Sequence, residues 1–101
     1  YVYVRTGSAW TFQAFVKPPI YSLPIGPSPE ECVAYGLSIG YHVALSSTGD
    51  TLAVGSTNEN SCSSNASAAA NDDACPNSGA AYVYVRASDG TWRYEEFIKA
   101  P

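Results

Sequence analysis

A pentapeptide occurs twice in this chain, letter for letter. Tyr1-Val2-Tyr3-Val4-Arg5 returns as Tyr82-Val83-Tyr84-Val85-Arg86, and the match continues beyond a turn. Trp10 aligns with Trp92, Phe12 with Tyr94, and Phe15-Val16-Lys17 with Phe97-Ile98-Lys99, after a connection one residue longer in the second copy. Such agreement between two separated segments is an internal repeat, with a period of about 81 residues. A chain of 101 residues then holds one full repeat and the second half of a preceding one, about one and a quarter repeats.

Each copy reads as a β-hairpin. Tyr and Val alternate with period two, so the tyrosines line one face and the valines the other. Thr6-Gly7-Ser8-Ala9 and Ala87-Ser88-Asp89-Gly90-Thr91 supply turn residues, and the Trp-bearing strand follows. Between the copies lies another hairpin: Tyr41 to Ser46, the turn Ser47-Thr48-Gly49-Asp50, then Thr51 to Gly55. The expectation is an all-β, four-stranded antiparallel unit with no helix. One such sheet cannot bury both faces alone, so it must stack on a neighbour.

The domain reading is therefore 1–17 as the second-half hairpin of a preceding repeat, 18–31 as a Pro-rich linker, and 32–101 as one full repeat. Pro18, Pro19, Pro24, Pro27 and Pro29 make the linker extended. Ser22, Ser28 and Pro29 mark it as a candidate O-glycan carrier. Residues 56–78 form a polar loop rich in Ser, Asn and Ala, too poor in apolar groups to order itself. Cys62 and Cys75 bracket it, and a disulfide there would contribute roughly 3 kcal/mol through lost unfolded-state entropy. The spacing does not suit zinc: there is no C-x-x-C, and His42, the one histidine, is distant. Cys32 is left over, as a buried free thiol or a bridge to a neighbouring chain. Asn65-Ala66-Ser67 is an N-glycosylation sequon in the same loop. These features point to an oxidising, extracellular setting.

Ile39 to Ser46, Thr51 to Ser56, Ser78 to Val85 and Trp92 to Lys99, in this order and spacing, resemble the FG-GAP repeat of integrin α-chain β-propellers and of secreted microbial and algal proteins. The resemblance covers the chain apart from the Pro-rich linker and the tip of the long loop. It implies a propeller-blade-like sheet. The family's Phe-Gly is Ile39-Gly40 here, and its Gly-Ala-Pro is Gly55-Ser56-Thr57. Calcium-binding members carry a D-x-D-x-D-G loop; this chain has Thr57-Asn58-Glu59-Asn60 and, further on, Asp72-Asp73. Asn58, Glu59, Asn60, Asp72 and Asp73 are oxygen donors suited to calcium, without the motif. A solvated polar loop is the plainer reading.

Other chemistry is weakly marked. Gly36-Leu37-Ser38-Ile39-Gly40 fits G-x-S-x-G, but a strand follows where that elbow needs a helix. His42 is too close in sequence to act as a positioned base for Ser38 and reads as a strand residue at a repeat interface. Glu95 and Glu96 are adjacent in a strand and point to opposite faces. The formal net charge is −4 with five Lys+Arg, which gives no electrostatic footprint for nucleic acid. No apolar run reaches the roughly 20 residues a membrane helix needs. The opening residues read as a strand rather than a secretory leader, so the chain is a mature secreted protein or an excerpt of a longer one.

The aromatic stripes, Tyr1, Tyr3 and Trp10 in one copy and Tyr82, Tyr84 and Trp92 in the other, are the packing or interface residues. With only 14% charged residues, the composition suits a non-enzymatic extracellular structural or interaction protein, a repeat unit of a glycosylated head-to-tail assembly or fibril. Its partners would be other copies of itself and glycans. The alternative is a blade of a closed propeller used in adhesion or ligand binding, with calcium as a candidate cofactor.

Overall fold

Six strands make up the regular structure of the computed structural model, which describes residues 1–18, 39–65, 72 and 74–100. They are β1 (Val2–Thr6), β2 (Ala9–Ala14), β3 (Ile39–Leu45), β4 (Thr51–Ser56), β5 (Ala80–Arg86) and β6 (Trp92–Ile98). No helix occurs among the described residues. β1 and β2 form a two-stranded antiparallel sheet, hairpin 1; the other four form an antiparallel sheet in the order β3-β4-β5-β6. β5 and β6 are hairpin 2. The linker residues 19–31, with Ser22, Ser28 and Pro29, and also Cys32 and Ser38 lie outside the described residues.

The strand sequences explain the pairing. β4 and β5 run without irregularity, Val54 opposite Tyr82 and Leu52 opposite Tyr84, so apolar side chains meet across the ladder on one face. Phe97 lies opposite Tyr82 and Tyr94 opposite Tyr84, which carries that face onto β6. Leu52, Val54, Tyr82, Tyr84 and Phe97 are the buried core. Full burial of an aliphatic or phenyl-sized side chain contributes roughly 1.5–3 kcal/mol, so this small cluster dominates the stability. β3 is an edge strand. Val43 and Leu45 sit opposite Val54 and Leu52 yet remain exposed. Its register shifts between Ile39 and Val43, where Gly40 adopts a φ of 92° that a side chain with a Cβ would resist.

Both hairpins carry a register shift at the same aligned place. In hairpin 1 it falls between Val2 and Tyr3, opposite Ala14 and Phe12, leaving Gln13 as the extra residue. In hairpin 2 it falls between Val83 and Tyr84, opposite Glu96 and Tyr94, leaving Glu95. The repeat thus extends to a β-bulge, a detail the strict alternation assumed for Glu95 and Glu96 had missed.

The core face is closed by hairpin 1. Val2 and Val16 pack against the buried cluster. Two hydrogen bonds fix the register: the Tyr84 hydroxyl donates to the Lys17 carbonyl at 2.8 Å, and the Trp92 indole donates to Gln13 Oε1 at 2.9 Å. The bulge is what presents Gln13 to that indole. Hairpin 1 comes so close to the β5–β6 turn that a Cβ on Gly90, already at φ 88°, would lie 3.2 Å from the Gln13 side-chain nitrogen.

Candidate functional site

The functional surface follows from how the two copies are placed. Tyr1 is 80% exposed and its twin Tyr82 is 0%; Tyr3 is 53% exposed and Tyr84 3%; Phe15 is 53% exposed and Phe97 4%. The exchange runs the other way on the opposite face. Val16 packs on the core, whereas its twin Ile98 is 51% exposed. One sequence therefore turns its aromatic face inward in hairpin 2 and outward in hairpin 1. The physical reason is that hairpin 1 uses its valine face to cover the aromatic face of hairpin 2, and nothing among the described residues covers hairpin 1 in turn.

The open face is ordered by its own ring contacts. Tyr1 stacks on Phe15 with centroids 4.8 Å apart, and Phe12 meets Tyr1 at 6.3 Å and Tyr3 edge-on at 5.9 Å. Trp10 is exposed at the turn end, opposite Arg5. Tyr1, Tyr3, Phe12 and Phe15 thus form one contiguous exposed aromatic patch on the sheet face. Among the six aromatic residues singled out from the sequence, Tyr82, Tyr84 and Trp92 are internal packing residues. Tyr1, Tyr3 and Trp10 are displayed.

The polar loop is built differently from the solvated segment expected. Cys62 and Cys75 form a disulfide with a Cα–Cα distance of 5.0 Å. A second anchor had no marker in the sequence. Glu59 and Lys99 form an ion pair whose side chains are only 3% and 5% exposed, and the Lys99 ammonium also reaches Ser78 Oγ at 2.6 Å. Glu59 Oε1 accepts the Ser61 amide, and the Glu59 carbonyl accepts that of Gly79. Burying two charges is offset only when both are paired and hydrogen-bonded, and here they are. In the sequence Glu59 reads as an oxygen donor of the polar loop, and nothing there pairs it with Lys99.

The calcium candidates are used as loop acceptors. Asn58 Oδ1 accepts the Thr57 hydroxyl at 3.2 Å, Asn60 Oδ1 accepts the Asn77 amide at 2.8 Å, and Glu59 holds Lys99. Asp72 Oδ2 accepts the Cys62 and Ser63 amides at 2.9 and 3.0 Å, and Oδ1 accepts that of Ala74 at 3.0 Å. The Ala74 amide foremost holds the Asp72 carboxyl below its usual value; burial opposes it, and the Cys62 and Ser63 amides and the distant Lys99 charge add smaller lowering effects. Asp73 lies outside the described residues. Among the described residues no three His, Cys, Asp or Glu side chains gather as a metal site.

Asn65 is exposed on this loop. His42 is exposed, edge-on to Tyr41 at 5.2 Å. Among the described residues no helix is long and apolar enough to cross a membrane. Comparison with family models, with curated proteins and with solved structures gave no match.

Proposed function

We propose that this chain is a non-enzymatic, extracellular structural repeat whose units stack head to tail in a glycosylated assembly. The observation that carries the reading is the exchange of faces between the hairpins. The valine face of hairpin 1 fits the aromatic face of hairpin 2. Because the two share a sequence, the valine face of hairpin 2 in one unit suits the open aromatic face of hairpin 1 in the next.

The internal interface supplies the contacts. Ile98 of one unit takes the place of Val16, against Phe15 of the next. Glu95 takes the place of Gln13 and accepts from the Trp10 indole. The Lys99 carbonyl takes the place of that of Lys17 and accepts from the Tyr3 hydroxyl. Contacts between unlike faces of like units propagate and yield an open filament unless the rotation closes a ring. The remaining features suit such a fibre: a glycan at Asn65 would limit sideways association of strand edges, Cys32 offers a covalent link, and Ser22 or Ser28 would carry O-glycans.

The FG-GAP resemblance supports the second reading, a blade of a closed propeller in an adhesion or ligand-binding module. The observation in its favour is the four-stranded antiparallel order with a hairpin stacked face to face on it, an arrangement closed propellers also use. Electron microscopy of native, unreduced material separates the two. Filaments with a regular axial repeat are expected; discrete rings would overturn the fibre and turn attention to a ligand and to calcium.

A further inference from the structure

Hairpin 1 differs from its twin along an edge as well as on a face. β5 is paired on both sides: β6 on one, and β4 on the other, with Leu52 opposite Tyr84, Ala53 opposite Val83 and Val54 opposite Tyr82. β1 carries the same five residues and, among the described residues, is paired on one side only, by β2. Transferred to β1, the β4 register places a Leu opposite Tyr3, an Ala opposite Val2 and a Val opposite Tyr1. A strand edge left open in this way offers a row of backbone donors and acceptors to an incoming strand.

A second, independent difference points to the same occupant. Lys99 is buried against Glu59, which lies three residues past the end of β4. Its twin Lys17 is exposed and rests over the Phe15 ring, 4.9 Å from the centroid, with no carboxylate in ion-pair range among the described residues. The strand that satisfies the β1 edge in the β4 register thus carries, three residues beyond its end, the carboxylate that satisfies Lys17. Within the chain this combination is written once, at residues 51–59, and hairpin 2 uses it.

We propose that the β1 edge and Lys17 together form a strand-docking site whose occupant is the first half of another repeat of the same kind. Its β4-like strand pairs along β1, and its Glu59 counterpart closes on Lys17, completing hairpin 1 into a four-stranded sheet. This lies on an edge rather than a face, so it does not depend on the face-to-face stacking proposed above.

The test uses the intact chain and a synthetic peptide with the sequence of residues 51–61, labelled for fluorescence anisotropy and treated with a carbodiimide to join carboxylate to amine. Saturable binding and a crosslink between the peptide's glutamate and Lys17 are expected. Lys17→Glu in the chain weakens binding roughly tenfold or more, and Glu59→Lys in the peptide restores it to that variant. A peptide N-methylated at Ala53 and Val54, which cannot pair as a strand, does not bind. Absence of binding overturns the proposal. So does binding indifferent to Lys17→Glu, which would place the peptide on another open edge such as β3. Failure to see filaments would leave this result as it stands, and the reverse also holds.

Discussion

The two hairpins are the same sentence read in opposite directions. Hairpin 2 buries Tyr82, Tyr84 and Phe97, sits between β4 and solvent, and fixes its lysine in an ion pair. Hairpin 1 exposes Tyr1, Tyr3 and Phe15, has neither outer edge paired among the described residues, and leaves its lysine at the surface. Local sequence is held constant, so the contrast isolates tertiary context. A strand with one aromatic and one β-branched face can bury either, and the neighbour decides which. The same freedom that lets hairpin 1 close the core of its twin makes it an unfinished copy of that twin.

Paired substitutions break this comparison most sharply. Tyr82→Ala removes a fully buried ring and should cost about 3–5 kcal/mol in urea unfolding, whereas Tyr1→Ala should stay within about 0.5 kcal/mol. Equal losses would mean that the Tyr1 face is covered in the folded monomer. Next comes the lysine pair. Lys99→Met strands the Glu59 carboxylate in a buried site and should cost about 3 kcal/mol, with Lys17→Met close to neutral; urea midpoints report both.

A smaller effect separates the bulged residues. Gln13→Ala leaves the Trp92 indole without its acceptor and should lower stability by about 1 kcal/mol. Glu95→Ala should leave monomer stability unchanged and, on the proposed stacking between units, weaken self-association. Sedimentation beside thermal melts distinguishes the two outcomes.

The least effect is expected from acid. The Asp89 carboxyl is held below its usual value chiefly by the Thr91 hydroxyl and amide, and that of Asp50 chiefly by the hydroxyls of Thr48 and then Ser46. A carboxylate whose folded value is lowered stabilises the fold above its unfolded value of 3.8 and loses that contribution as pH falls through the folded value. Melting temperature should therefore hold steady from pH 7 to about 5 and decline below 3.8. Asp89→Asn should blunt the decline. The turn of hairpin 1 contains no carboxylate and contributes nothing to it.

Much of this architecture was legible in the sequence because its signals are local. Period-two alternation gave the strands, turn residues gave the hairpins, and the spacing of Cys62 and Cys75 across a polar loop gave the disulfide. What could not be read is set by distant neighbours. Identical letters at Tyr1 and Tyr82 carry no information about which face is covered. Glu59 is indistinguishable from a solvated loop acid until Lys99, forty residues on, is brought beside it. Nor does the sequence show how the loop's oxygen donors are used: a loop poor in apolar groups must satisfy its own amides, and Asp72 and Asn60 accept from amides of that loop. The bulge at Gln13 and Glu95 adds a residue without a compositional marker, which is why strict alternation misplaced Glu95.

On the proposed stacking, the exposed aromatic face of hairpin 1 receives the valine face of another unit. Sedimentation velocity over a wide concentration range, on the wild type beside Tyr3→Ser, tests it directly. The wild type should show a weight-average mass that climbs past the dimer without a plateau, and the variant a monomer of unchanged melting temperature. A wild type that stays monomeric throughout, or a variant that associates as strongly, would contradict it.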